Sequence, residues 1–214
     1  MRVVIFTGGQ LRSGPAVSTA LARADLILAA DSGAESALAM GRRPEVVIGD
    51  LDSLSSQTQS RLKESGTKFK VAPTAKDETD TELAIAYAAD QGATSITVLG
   101  GIEGDRLDHV LANVLLLAHT SVPMTLASGG TSAWLADGPT EVDVPGAIGD
   151  TLSLIPLAPR VAGVTTSGLH YALADATLQM GKTLGISNVL TDPVAHVAFT
   201  HGRLLFVHTR PILT

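Results

Sequence analysis

The chain has 214 residues, 45% of them hydrophobic, 17% charged and only 3% aromatic, with 15 Lys plus Arg against 21 Asp plus Glu for a net charge of -6. That balance excludes a disordered chain or a coiled coil. It also speaks against broad nucleic-acid or anionic-membrane binding, while the absence of Cys removes disulfides, zinc–thiolate sites and thiol catalysis. In chain order, short Val- and Ile-rich runs at residues 2–7, 25–30, 45–48, 68–71, 95–99 and 124–127 read as strands. Helical spacing lies between them. One helix is expected over about 81–92, with Leu83, Ala86 and Tyr87 on one side and Gly92 at its stop. Another carries Leu107, Val110, Leu111 and Val114 at i, i+3, i+4 and i+7 as one apolar face. Strands alternating with helices predict a mostly parallel sheet covered on both faces, a three-layer α/β/α domain.

Beyond Ser128 the texture changes. Gly and Pro punctuate short alternating runs at 141–144, 151–155, 161–166, 176–180, 194–200 and 203–208, without a convincing helix. An antiparallel all-β sandwich is the expectation. The boundary falls near Ser128-Gly129-Gly130, giving an α/β domain over 1–128 and a β domain over 129–214. The opening apolar run is too short for a signal peptide and no later run reaches membrane-spanning length, so a soluble, cytoplasmic protein is expected.

In an open parallel sheet, ligands bind outside the carboxyl ends of the strands. The acids fall at those ends. Asp31 follows the second strand, Gly49-Asp50-Leu51-Asp52-Ser53 the third and Lys76-Asp77-Glu78-Thr79-Asp80 the fourth; Asp105-Arg106-Leu107-Asp108-His109 comes soon after the fifth. Several carboxylates on one rim need a cation, because like charges at close range raise one another's pKa. Oxygen donors without thiols point to Mg²⁺ shared with substrate phosphates. Asp31-Ser32-Gly33, taken alone, reads more readily as a helix cap. Asp77 and Asp80, three apart before a helix, also suit the helix dipole. Arg106, His109 and Asn113 share one helical stripe, a ligand-facing arrangement. Gly8-Gly9 after the first strand would let backbone amides approach a phosphate. The segment from Gly9 to Pro15 has the glycine spacing of a P-loop but Pro15 in place of Lys, so Gly14 reads as a tight turn.

Taken in order, Ala30-Asp31-Ser32-Gly33-Ala34, Ile48-Gly49-Asp50-Leu51-Asp52-Ser53, Lys76-Asp77-x-Thr79-Asp80 and Gly104-Asp105-Arg106-Leu107-Asp108-His109-x-x-Ala112-Asn113 resemble the motifs of thiamine pyrophosphokinases. Ser153-Leu154-Ile155-Pro156-Leu157, Thr166-Ser167-Gly168-Leu169-x-Tyr171-x-Leu173 and Gly185-Ile186-Ser187-Asn188 extend the likeness to that family's thiamine-binding domain. The resemblance spans nearly the whole chain. It implies an α/β catalytic domain, a β-sandwich, and diphosphoryl transfer from ATP to thiamine to give AMP and thiamine diphosphate. It further implies Mg²⁺ held by Asp31, Asp50, Asp52 and Asp108, with Asp77, Thr79 and Asp80 positioning metal or nucleotide. Arg106 and Lys76 would hold phosphate oxygens, and Gly8, Gly9, Ser32, His109 and Asn113 would complete the ATP site. Ser187 and Asn188 would contact the thiamine pyrimidine, and a homodimer would build its sites between subunits.

Two other classes are open on the residues alone. A carboxylate-and-magnesium phosphohydrolase would use Asp50 as nucleophile, but expects its Asp pair after the first strand rather than the third. A non-catalytic binding module has no need for so many clustered charges.

Overall fold

Six strands, most of them rich in Val, Ile, Leu and Ala and the edge one Lys-Phe-Lys-Val, line up side by side in the first 129 residues: β1 (Arg2–Phe6), β2 (Leu26–Ala30), β3 (Val46–Gly49), β4 (Lys68–Val71), β5 (Ser95–Leu99) and β6 (Met124–Ser128). All are parallel, in the order β6-β5-β1-β2-β3-β4. Crossovers run through α1 (Pro15–Arg23), α2 (Gly33–Ala39), α3 (Ser56–Glu64), α4 (Asp80–Asp90) and α5 (Leu107–Leu116). The computed structural model describes residues 1–211, and the chain divides into two compact units, Met1–Gly129 and the part from Gly130 onward.

The direction of strand addition reverses at β1, whose neighbours are β2 on one side and β5 on the other. That reversal opens a crevice at the carboxyl ends. β1 is buried apart from Arg2, as a strand covered on both faces must be. Val4, Phe6, Val17, Ala34, Val47 and Leu62 lie in one core cluster of this unit. Gly33, at the start of α2, packs so closely on β1 that a Cβ there would stand 2.2 Å from the Phe6 carbonyl oxygen. Gly14 is no isolated tight turn: it precedes Pro15, the first residue of α1, and a Cβ would stand 2.3 Å from the Gly129 backbone.

Two helix faces differ from the sequence expectation. α4 buries Thr81, Ala84, Ile85 and Ala88, while Leu83 and Tyr87 are half-buried and Ala86 is exposed. Ala84 and Ala88 let the helix sit close to the sheet, with Ile85 packed beside them. On α5, Leu107, Leu111 and Leu115 are exposed, and Asn113 is the buried residue. Val110 and Val114 of the expected face are half-buried.

From Gly130 the chain is all antiparallel. β7 (Thr131–Asp137), β8 (Thr140–Pro145), β9 (Thr151–Pro156), β10 (Arg160–Ser167), β11 (Ala176–Gln179), β12 (Asn188–Val189), β13 (Val194–Phe199) and β14 (Arg203–Thr209) form two groups. One runs β12-β9-β14-β7 and the other β11-β10-β13-β8. Leu152, Leu154, Leu204 and Phe206 from the first meet Val161, Val164, Leu178, Val197 and Phe199 from the second in one core, with Trp134 stacked on Phe206 at 5.4 Å. β7 and β12 have no counterpart among the runs expected from sequence. β7 is a weakly alternating, Ala-containing stretch, and β12 is only two residues long.

Candidate active site

The carboxyl ends of β1, β2, β3 and β5 surround one cleft of about 430 Å³. Gly8 and Gly9 come from the loop after β1, Asp31 and Ser32 from the turn after β2, and Asp50 and Asp52 from the turn after β3. Thr79 and Asp80 enter from the start of α4, Arg106, His109 and Asn113 from α5. Eleven of the residues singled out from sequence therefore line one cavity.

The turns that deliver the acids are unusual. Asp31 has φ 43 and Leu51 φ 64, left-handed values that a non-glycine side chain adopts at a cost of roughly 1–3 kcal/mol. Such conformations are held by their surroundings and concentrate at functional sites. Here they bring carboxylate oxygens of Asp31, Asp50 and Asp52 within 4.8 Å of one another. Asp31 is buried and its Oδ1 has no hydrogen-bond partner among the described residues. Ser32, not Asp31, occupies the cap position of α2, and without a side-chain capping bond. The capping alternative for Asp31 thus gives way to an acid aimed at the cleft. Burial raises the Asp31 pKa; hydrogen bonding from Ser32 and Ser53 opposes this, and the charges of Asp80 and Asp52 add to it. Asp50 moves the other way, chiefly because the Asp52 backbone N–H donates to its Oδ1 at 3.2 Å, with Lys76 contributing charge.

Lys76 stands outside the lining but acts on it. Its Nζ lies 2.8 Å from Asp80 Oδ1, a pairing that raises the Lys76 pKa and offsets one of the cleft's acids. Thr79 caps α4 by accepting from the Glu82 N–H at 3.2 Å, which fixes the direction in which Asp80 enters the cleft. Asp77 is exposed and outside the lining. Asp108 is also outside it: 63% of its side chain is exposed, and it takes two hydrogen bonds from the Arg106 guanidinium at 3.0 and 2.6 Å, which lower its pKa to about 2. The structure thus places Asp108 beside Arg106 as its anchor and not among the three clustered acids. Asn113 donates from Nδ2 to the Gly101 carbonyl at 2.9 Å, so its amide holds the turn after β5.

Sequence reasoning passed over Thr7, Thr81 and Glu103. The Thr7 and Thr81 hydroxyls bond each other where β1 meets α4, and Glu103 takes an ion pair from Arg12 at 2.8 Å. Their signal is adjacency: Thr7 precedes Gly8-Gly9 and Thr81 follows Asp80.

In the β unit, Ser187 is exposed, has φ 56, and donates its N–H to Ser153 Oγ at 2.9 Å. Asn188 beside it is buried in β12. Its Oδ1 accepts from the N–H groups of Tyr171 and Val189, both at 3.0 Å, and its Nδ2 donates to the Tyr171 carbonyl at 2.8 Å.

Residues 17–126 match the family described as "Thiamin pyrophosphokinase, catalytic domain", and residues 140–204 match "Thiamin pyrophosphokinase, vitamin B1 binding domain". The chain belongs to the thiamin pyrophosphokinase family. The thiamine pyrophosphokinase of Bacillus subtilis (strain 168) is 28% identical over 188 residues, covering 86% of this chain and 87% of that one. A crystal structure of the Bacillus subtilis protein superposes with a TM-score of 0.87 at 26% identity, covering 99% of this chain and all of that chain. The Geobacillus thermodenitrificans thiamin pyrophosphokinase gives 0.83 at 28%, covering 99% and 98%. Asp31, Asp50, Asp52, Asp80 and Arg106 all lie inside the stretch matched to the family's catalytic domain, and Ser187 and Asn188 inside its vitamin B1 binding domain. Among the described residues no helix is long and apolar enough to cross a membrane.

Proposed function

We propose that the chain carries its family's activity, moving a diphosphoryl group from ATP to the hydroxyl of thiamine to give AMP and thiamine diphosphate. The observation that carries this reading is the cluster of Asp31, Asp50 and Asp52 in the cleft, with a buried Asp31 oxygen that has no hydrogen-bond partner among the described residues. An all-oxygen donor set with a vacant buried acceptor fits a hard divalent cation such as Mg²⁺. Asp31, Asp50 and Asp52 would hold it. When bound, Mg²⁺ offsets negative charge on phosphate oxygens.

In the transfer, the thiamine oxygen forms a bond to the β-phosphorus as the bond from that phosphorus to the α,β-bridging oxygen breaks; AMP departs with that oxygen, and the hydroxyl proton passes to water. The chain's own groups serve this step by position and charge. Arg106, oriented by its two bonds to Asp108, presents a fixed guanidinium to phosphate oxygens. Lys76 stays charged beside Asp80 and keeps the acidic rim from repelling the nucleotide. Gly8 and Gly9 offer backbone N–H groups at the crevice beside β1, where a side chain would block close approach. Asn113 fixes the Gly100-Gly101 turn across the crevice, while Ser32, Thr79 and His109 supply polar groups along the nucleotide's path.

Ser187 offers its hydroxyl to the thiamine pyrimidine. Two copies of the chain share the work, and the exposed Leu107, Leu111 and Leu115 stripe supports self-association. Sedimentation of wild type against Leu111→Glu tests that point: a dimer that falls to a monomer supports it, and a wild-type monomer rejects it.

The activity itself is tested by incubating the protein with ATP, Mg²⁺ and thiamine and resolving the nucleotide products. AMP appearing in step with thiamine diphosphate is the expected result. ADP, or free phosphate alone, rejects the reading.

A further inference from the structure

The crevice between β1 and β5 has two lips, the loop of residues 7–14 after β1 and the loop of residues 100–106 after β5. The first lip carries Gly8 and Gly9, which border the cleft. Among the described residues, the N–H groups of Gly8, Gly9 and Gln10 find no acceptor. Donors left open in this way serve a ligand well only where the loop that carries them is held in place.

Three features hold it. In the sheet, β5 lies between β1 and β6, yet the loop after β1 reaches over the end of β5 to β6. There the Arg12 N–H donates to Oγ of buried Ser128 at 3.2 Å, and the Arg12 carbonyl accepts from the Gly129 N–H at 2.9 Å. Where they cross, the two lips run backbone against backbone. A Cβ on Gly9 would stand 3.1 Å from the Glu103 carbonyl oxygen, and one on Gly100 would stand 3.1 Å from the Thr7 carbonyl oxygen. Last, Nε of Arg12 lies 2.8 Å from the Glu103 carboxylate. The Glu103 side chain is 16% exposed and lines the cleft, whereas 64% of the Arg12 side chain faces solvent. An arginine this exposed adds little to global stability. Its effect is local: it pins the second lip to the first and neutralises an acid that borders the cleft.

We propose that Arg12 and Glu103 form a clasp that joins the two lips of the crevice and sets the affinity for ATP, both acting as positioning residues for the Gly8-Gly9 N–H groups. The inference rests on the reading of ATP as the donor. Arg12 stands outside the cleft lining and acts through Glu103, whose backbone carbonyl packs against Gly9. Breaking the pair frees one lip from the other and leaves the Glu103 carboxylate uncompensated beside the phosphates. Both effects weaken the nucleotide. The acceptor alcohol carries no phosphate, so its KM does not follow.

The test uses the full chain with Mg²⁺ and reads the KM for ATP and for thiamine, kcat, and ATP affinity by calorimetry without thiamine. Arg12→Ala raises the ATP KM and Kd by on the order of 5-fold, the scale of one ion pair lost at a partly exposed site, and leaves the thiamine KM level. Arg12→Lys, which keeps a cation within reach of Glu103, stays close to wild type. Glu103→Gln has a smaller effect than Arg12→Ala, because its amide oxygen still accepts from Arg12. Adding Glu103→Gln to Arg12→Ala recovers part of the loss, since no uncompensated carboxylate is left; that non-additivity marks two residues acting as one pair. A folded Arg12→Ala enzyme whose ATP KM and Kd match wild type overturns the proposal. An equal rise in both KM values overturns it too, as does a double variant weaker for ATP than Arg12→Ala alone. If Glu103→Gln fails to fold, the two Arg12 variants decide alone. Wild-type protein that does not bind ATP overturns the underlying reading of the donor, an outcome distinct from an active wild type indifferent to Arg12.

Discussion

The α/β unit and the β unit use their polar residues in opposite ways. In the first, acids crowd at strand ends with Lys76 offsetting only part of their charge: among the described residues Asp31 keeps a buried oxygen without a partner, and Asp50 and Asp52 lie beside it. In the second, polar side chains are spent on the protein itself. Asn188 grips Tyr171 and Val189, and Thr165 and Thr166 each take a backbone N–H. His208 pairs with buried Asp150 at 2.9 Å. A buried group left unsatisfied destabilises the fold and persists only where a ligand completes it; one satisfied internally stiffens its neighbourhood. The first unit is thus built to take charge from outside, the second to hold a shape.

The sharpest way to break this comparison is Asp52→Asn. Loss of one carboxylate from a site that stabilises developing charge costs on the order of 10²–10³ in kcat. The fold should not suffer, because the Asp52 side chain is exposed and engages only its chain neighbours Asp50 and Ser53 among the described residues. AMP release in the steady state, measured beside the thermal midpoint, checks both halves. Near-normal turnover in a folded variant would remove Asp52 from the charged site.

The next effect is structural and belongs to the α/β unit's frame. In Gly33→Ala the new methyl meets the Phe6 carbonyl at 2.2 Å, so the start of α2 must lift off β1, and Asp31 moves with it. Overpacking of this kind costs about 1–3 kcal/mol. Urea denaturation would show a lowered midpoint, and an unchanged midpoint would mean that the turn tolerates displacement.

This position also shows what the sequence could reveal. The strand pattern and the acids at strand ends were legible because parallel strands are continuous apolar runs, and turns beside them carry their chemistry in plain order. The close approach of Gly33 to Phe6 was not legible, because it depends on where a distant strand passes. The inner face of α4 was not legible for the same reason: Leu83, Ala86 and Tyr87 share one side of the helix, but the side that meets the sheet carries Thr81, Ala84, Ile85 and Ala88, and which side that is depends on where distant strands pass. On α5 the expected face of Leu107, Val110, Leu111 and Val114 splits: the two leucines are exposed, while Val110 and Val114 are half-buried and Val110 lines the cleft with Asn113, whose amide bonds Gly101. Asn188 gave no sequence signal for its bond to Tyr171, seventeen residues earlier in the chain.

In the β unit, Ser187→Ala tests whether any polar group there is reserved for a ligand. Its backbone is fixed by Ser153, whereas its exposed side chain is free for a partner outside the fold. Removing the hydroxyl leaves a ligand group unpaired, at about 1–3 kcal/mol. The thiamine KM rises accordingly while the ATP KM stays level. Parallel changes in both would assign Ser187 to the fold, like its neighbour.

The smallest effect concerns a pair that is spent internally and also exposed. Arg203 in β14 donates from Nε and a terminal nitrogen to both oxygens of Asp137 in β7, at 2.7 and 2.9 Å, and the two residues are partners in the strand register. This pairing lowers the Asp137 pKa in the folded protein, while burial opposes the shift. A carboxylate with a depressed folded pKa contributes stability in full above its unfolded value, near 3.8, and loses that contribution as pH falls through the folded value. With 62% of the Asp137 side chain exposed, solvent screening keeps the pair to a few tenths of a kcal/mol, about 1 at most. Asp137→Asn should therefore lower the thermal midpoint by only a degree or a few at pH 7. The difference from wild type should shrink as pH drops below about 3.8, where the wild-type carboxyl also takes up its proton. A difference that stays constant across that range would mean that the residue acts through packing and not through its charge.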